Sequence, residues 1–197
     1  MTETQNTNIH NMKQITENTA ASAAAPTTTA IGKDHLVFPE PINSERIGWL
    51  VTKGVEADIA AIDLEMVKMK LGDKDEGQGW TKPQADEAEL EYKRFLTLSK
   101  RHGKGIVPTK QIDVIWHYHI LDTRAYHQDS QKIFGGYFHH YPYFGMRGEQ
   151  DAKDLEGAFR RTQKLYHEAF GEVLSSPEGT DCWHDCSGRC WHACSND

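Results

Sequence analysis

The stretch that decides the fold reads Pro108-Thr109-Lys110-Gln111-Ile112-Asp113-Val114-Ile115-Trp116-His117-Tyr118-His119-Ile120-Leu121. The Pro-Thr pair marks a helix start, so the pattern predicts a helix that begins at about Lys110. The helix is expected to continue to about Phe134, where the Gly135-Gly136 pair ends it. Because no segment of the chain shows the alternation typical of a β-strand, we predict an all-α fold.

The residues before this helix carry two further helical patterns. From Ser44 onward an apolar stripe with three- and four-residue spacing predicts an amphipathic helix, and its members are Val55, Ile59, Ile62, Met66 and Met69. A second helix is predicted to begin at the capping box Thr81-Lys82-Pro83-Gln84 and to end at Gly103-Lys104-Gly105. The residues of that helix expected to face inward are Ala85, Ala88, Tyr92, Phe95 and Ser99.

A last helix is predicted from about Asp151 to Leu174, with Pro177 just beyond its end. Its inward face is expected to hold Leu155, Phe159, Thr162, Tyr166, Ala169 and Val173. Together these patterns predict a compact bundle of four to five helices over residues 34–175.

The two ends of the chain differ from the bundle. Residues 1–33 are rich in Thr, Asn and Ala and cannot bury enough apolar surface to offset the entropy of ordering, so they predict a disordered N-terminal tail. They also lack the pattern of a secretory or transit signal. Residues 176–197 are expected to form a flexible tail that carries a Cys/Trp/His repeat.

Composition limits which classes of partner and which cellular location are expected. The net charge of −7 over 197 residues argues against a nucleic-acid partner, because no basic stripe is available to neutralise phosphates. No apolar run reaches membrane-spanning length, so no membrane partner is expected. Without a targeting signal the sequence predicts a cytoplasmic protein, where clustered cysteines bind metal or do redox chemistry more often than they form disulfides.

The centre of the chain is rich in histidine. The candidate metal ligands there are Asp113, His117, His119, His127, His139 and His140. Asp113 and His117 are four residues apart, so on a helix they share a face and could bind one ion together. His117 and His119 point about 200° apart at about 100° per residue, so a regular helix cannot offer both to one metal. The two loop histidines could fold back and complete a site with either face.

A structural interpretation stays open for the same residues. A Trp-His-x-His string in a buried helix is also typical of packing with buried hydrogen bonds, and the aromatic loop after it could simply cover the end of the bundle. The absence of a His-x-x-x-His pair argues against a zinc hydrolase. The sequence therefore assigns no catalytic residue and leaves open whether the protein is an enzyme.

The same segment carries a family pattern. It comprises Pro108-Thr109, Ile112-Asp113, Trp116-His117, the run from His119 to Thr123, Tyr126, Asp129, Phe134-Gly135, His139-His140, Pro142 and Phe144-Gly145. This pattern, which covers about Val107 to Gly148, resembles the glycine-rich domain-containing protein-like family. The resemblance implies relatives in plants and bacteria with a helical domain, and it implies a fold rather than a mechanism.

The last sixteen residues are an eight-residue unit written twice, Cys182-Trp183-His184-Asp185-Cys186-Ser187-Gly188-Arg189 and Cys190-Trp191-His192-Ala193-Cys194-Ser195-Asn196-Asp197. The candidate ligands of this tail are Cys182, His184, Cys186, Cys190, His192 and Cys194. Thiolates and imidazoles bind soft and borderline ions, so the expected cofactor is a copper or zinc ion, in one four-thiolate site or two Cys-His-Cys sites. The alternatives are a redox-inert end and a pair of disulfides.

These observations favour a soluble metal-binding protein that uses the His/Asp-rich helical site and the repeat tail for a thiophilic ion. A second hypothesis is a peptide precursor or self-modifying metalloprotein whose tail is oxidised or crosslinked, with a peptide-modifying enzyme as its partner. A third is a non-catalytic interaction module, in which the tail serves only for docking.

Overall fold

A computed structural model describes residues 38–174, and every regular element in this range is a helix. The helices are α1 (Ser44–Thr52), α2 (Ala57–Ala60), α3 (Glu65–Gly72), α4 (Lys82–His102), α5 (Lys110–Leu121), α6 (Thr123–Phe134) and α7 (Glu149–Phe170). The predicted all-α class is therefore confirmed for the described residues. The two predicted tails lie outside them.

Helix α4 is the central element and begins and ends as predicted. The backbone N–H of Thr81 donates to Oε1 of Gln84 at 2.9 Å, which is half of the expected capping box. The helix ends at Gly103, whose φ of 72° is readily adopted only by glycine. All five residues predicted to face inward are buried. Helices α2, α3, α5 and α7 pack against α4 and place the core around it.

The apolar stripe from Val55 to Met69 does not form the single helix that its spacing predicted. The helical conformation is interrupted between Ala60 and Glu65, and only the first part of the stripe is buried. The ammonium of Lys93, on α4, donates hydrogen bonds to the carbonyl oxygens of Ala60 at 3.0 Å and of Ile62 at 2.8 Å. A continuous helix would use these carbonyls for its own ladder, so the buried lysine accounts for the break.

The predicted helix from Lys110 to Phe134 is divided into α5 and α6 at Asp122. This residue has a ψ of 74°, outside the helical range, and its carboxylate accepts the N–H of Ala125 at 3.2 Å. Asp122 therefore caps a new helix instead of continuing the old one. As a consequence, His119 and His127 lie on different helices and do not form the two-turn pair that one helix would have given.

Helix α7 is shorter at its C-terminal end than predicted. It stops at Phe170 because Gly171 adopts a left-handed conformation with a φ of 69°. Val173 lies beyond the helix and is exposed, Ala169 is exposed within its last turn, and the other four residues predicted on its inward face are buried. The described residues thus form seven helices instead of four to five, since two of the predicted helices are divided, one beside Lys93 and one at the Asp122 cap. No helix in residues 38–174 is long and apolar enough to cross a membrane.

Candidate metal centre

Asp113, His117 and His140 form a cluster, here called the triad, in which three potential ligand atoms converge. Nε2 of His140 lies 2.8 Å from Oδ1 of Asp113 and 3.1 Å from Nε2 of His117. Nε2 of His117 lies 3.6 Å from the second oxygen of Asp113. One ligand atom from each residue lies within 4.8 Å of the other two, as an ion bound by all three requires. Among the described residues, this is the group of histidines and acids with such geometry.

Local sequence places two members of the triad. Thr109 caps α5 by accepting the N–H of Ile112 at 3.3 Å, which fixes where the helix begins. Asp113 and His117 then follow one turn apart on the same face, as their spacing predicted.

The third member comes from the loop after α6, which a hydrogen-bond chain fixes to α5. The indole N–H of Trp116 donates to Oη of Tyr126 at 2.9 Å, and Tyr126 in turn donates to the carbonyl of Phe138. Burial raises the pKa of Tyr126 to about 12, so its hydroxyl keeps the proton that this chain needs. Packing of Trp116 against the His140 ring, with centroids 4.5 Å apart, completes the placement of the imidazole.

The triad lies at the boundary between the core and the solvent. The side chains of Asp113 and His140 are 12% and 11% exposed, whereas that of His117 is 50% exposed. A largely buried carboxylate beside an accessible imidazole can orient a ligand and still admit an ion from solution. The arrangement can therefore bind a metal or share protons between its members.

His119 lies away from the triad, as the helical geometry predicted. It is 1% exposed; its Nδ1 lies 3.0 Å from Oη of Tyr92, and its Nε2 lies 3.2 Å from Oδ2 of Asp129. Burial raises the pKa of Tyr92 well above its ordinary value, so the phenol keeps its proton and can donate a hydrogen bond to Nδ1. Both ring nitrogens are occupied by hydrogen bonds.

The other predicted ligands are not brought to the triad. His127 and His139 are exposed, and their rings lie 6.3 Å and 4.9 Å from that of Tyr137. The six candidate ligands of the repeat tail, Cys182 to Cys194, lie outside the described residues.

Three residues with a role in the structure, two beside the triad and one beside His119, were not predicted as part of a site. Ser99 and Phe138 line a cavity beside the triad, and Asp129 pairs with His119. For Ser99 the inward face of α4 was the one available signal, and it indicated packing alone. Asp129 belongs to the family pattern, which gave it no role.

Comparisons with known proteins agree with the family pattern. The model of the UCP032817-like family matches residues 65–172. Glycine-rich domain-containing proteins 1 and 2 of Arabidopsis thaliana are each 34% identical over 90 residues, which is 43% of this chain. The chain spans only 11% of the length of these two relatives. No solved structure matches. Since the family model covers more than half of its residues, the chain belongs to the UCP032817-like family, within the glycine-rich domain-containing protein-like group.

Proposed function

We propose that the protein binds a divalent transition-metal ion through Asp113, His117 and His140. The observation that carries the proposal is the 3.1 Å distance between the two Nε2 atoms, with a carboxylate oxygen 2.8 Å from one of them. A neutral imidazole nitrogen carries at most one hydrogen, so His140 Nε2 cannot donate to both neighbours fully. A single cation satisfies all three atoms at once.

The spacing suits such an ion. Zinc binds imidazole nitrogen at about 2.0–2.1 Å and carboxylate oxygen at about 2.0–2.2 Å. Two ligands of a tetrahedral ion at those lengths are about 3.3 Å apart, close to the distance between the two imidazole nitrogens. The Asp113 oxygen lies 2.8 Å from Nε2 of His140, so these two ligand atoms would have to move apart by a few tenths of an ångström to hold the ion.

The donor set favours zinc or copper(II) over copper(I). Imidazole suits zinc, copper, iron and nickel, whereas a carboxylate is a hard ligand that copper(I) does not prefer. Three protein ligands leave at least one position for water or another molecule, as in zinc sites with two histidines and a glutamate. Copper(I) remains an expectation for the thiolates of the repeat tail, and a cytoplasmic location remains part of this proposal.

The test is the metal content of the full-length chain. The protein is purified without a polyhistidine tag, and its metals are measured by inductively coupled plasma mass spectrometry. The quadruple variant Cys182→Ser, Cys186→Ser, Cys190→Ser and Cys194→Ser removes the tail thiolates. We expect this variant to keep one zinc per chain and to lose it when His140→Ala is added. The matched control is His139→Ala, which changes the adjacent histidine. Loss of all zinc in the quadruple variant would place the ion in the tail and contradict the proposal.

A further inference from the structure

A cavity of about 350 Å³ lies beside the triad, at the C-terminal end of α4 and the start of α5. Residues 103–108 form one side, and the rings of Trp116, Phe138, Tyr141 and Phe144 contribute much of the rest. The volume is within the range of about 300–1,000 Å³ that small-molecule sites occupy, and an aromatic lining with few polar groups is typical of them. The cavity therefore has the size and surface of a site for a small, largely apolar molecule.

One residue that lines this cavity, Ser99, carries a buried hydroxyl without a partner in the described part of the chain. Ser99 is 5% exposed, and within the described part of the chain its Oγ has no hydrogen-bond partner. Buried hydroxyls nearly always have a partner, and a serine inside a helix commonly donates to the carbonyl one turn earlier. Almost no surface of this oxygen is accessible, so the Ser99 side chain has to turn toward the cavity before its hydroxyl can bond to a molecule there.

The cavity and the triad share two residues. Asp113 and His140 line the cavity wall and also supply two of the three ligand atoms of the triad. Without an ion, the carboxylate of Asp113 repels an anion. With a divalent ion bound, the same place becomes positive and can accept an oxygen from an acid group at the open coordination position.

We infer that the cavity binds a small molecule with an aromatic body, an acid group that coordinates the ion of the triad, and a polar group that bonds to Ser99. The inference rests on the proposed function, because it places the acid group on the ion and not on Lys104, which also lines the cavity. The rings of Trp116, Phe138 and Phe144 surround the body, and burial of its apolar surface supplies most of the affinity.

The test uses hydroxamic acids as probes, because they coordinate zinc through two oxygens. Benzohydroxamic acid carries a ring and acetohydroxamic acid does not, and calorimetry on the zinc-loaded full-length protein gives both dissociation constants. We expect the ring to strengthen binding at least about tenfold. Ser99→Leu fills the cavity and should abolish that advantage. Ser44→Ala, which changes an exposed serine at the start of α1 and outside the cavity, should preserve it.

A second comparison tests the hydroxyl of Ser99 with a variant that changes little volume. Of the 3-hydroxy and 4-hydroxy derivatives of benzohydroxamic acid, we expect one to bind several-fold tighter than the parent, and we expect Ser99→Ala to remove this gain. Zinc content is measured first on every protein. Zinc-loaded protein that binds both hydroxamic acids equally would overturn this inference and leave the proposed function standing. Protein that takes up no zinc would overturn both.

Discussion

Nε2 of His140 lies 2.8 Å from Oδ1 of Asp113, although the two residues are 27 positions apart in the chain. One comes from a capped helix and the other from a loop fixed by the Trp116–Tyr126 hydrogen bond. Their contact brings the second imidazole of the triad next to His117. The contact therefore brings the three potential ligand atoms of the triad together from two separate elements.

The first prediction concerns the carboxylate of the triad. Asp113→Asn keeps the shape of the side chain and removes the charge, so we expect it to weaken zinc binding at least about 100-fold. Loss of an outer partner of a ligand already costs about 10–100-fold, and loss of a ligand costs more. Competition with a zinc-sensitive dye measures the affinity. His127→Ala, which removes an exposed histidine outside the triad, should leave it unchanged.

The second prediction separates His119 from the metal site. His119→Ala leaves Tyr92 and Asp129 without their shared partner and opens a cavity in the core. We expect it to lower the free energy of unfolding by about 2–4 kcal/mol. Urea denaturation measures this loss. The folded fraction should still bind zinc with the affinity of the original chain. A loss of zinc binding without a loss of stability would make His119 a ligand.

The third prediction concerns the pH dependence of stability through Glu89, which is fully buried. The cations around it are Arg46, Lys68 and Lys93, with nitrogens 2.9, 3.1 and 2.7 Å from its oxygens. Burial alone would raise the pKa of Glu89, but these cations, Lys93 first, hold the pKa below its ordinary value of 4.5. Because the folded-state pKa is the lower one, the stabilisation is present above about pH 4.5 and is lost as the pH falls through the folded-state pKa.

Glu89→Gln tests this relation. Removing one partner of a buried ion group leaves uncompensated charge, so we expect a loss of about 3–5 kcal/mol at pH 7. We also expect the variant to lose less stability than the original chain as the pH falls below about 4.5. Guanidinium denaturation at several pH values measures both. An unchanged acid slope would show that Glu89 is not ionised in the folded protein.

The fourth prediction concerns the turn between α1 and α2. Gly54 has a φ of 90°, and a Cβ at this position would lie 2.8 Å from Cδ1 of Phe170. Gly54→Ala should therefore lower the midpoint of thermal unfolding, with a cost of about 1–3 kcal/mol. Gly48→Ala is the matched control, since a Cβ there meets no atom within 4 Å. It should raise stability by about 0.5–1 kcal/mol because alanine favours the helix.

Local signals predicted both ends of α4 and the start of α5, whereas a tertiary contact accounts for the break after Ala60, which they missed. Thr81, Gly103 and Thr109 act on their immediate neighbours, so each could be located from sequence. The break after Ala60 depends on Lys93, which lies 33 positions away and satisfies carbonyls that the helix would otherwise use. The spacing of the apolar residues cannot predict a contact with a residue so far along the chain.

Part of the candidate site could likewise be predicted from the sequence, and part depends on contacts between distant residues. The helical spacing of Asp113 and His117 predicted their shared face, and the angle between His117 and His119 predicted that those two would separate. The sequence left open which face the loop histidines would complete. His140 completes the His117 face because Tyr126 holds the carbonyl of Phe138, and that contact depends on the bend at Asp122. The role of the repeat tail stays a prediction.

The position of the ion tests the central claim most directly. Crystals of the zinc-loaded full-length protein, with diffraction measured on both sides of the zinc absorption edge, locate zinc by its anomalous scattering. We predict a zinc peak about 2.0–2.2 Å from Nε2 of His117, Nε2 of His140 and a carboxylate oxygen of Asp113. A zinc peak bound only by cysteines, or no peak at the triad in crystals that contain zinc, would contradict the account.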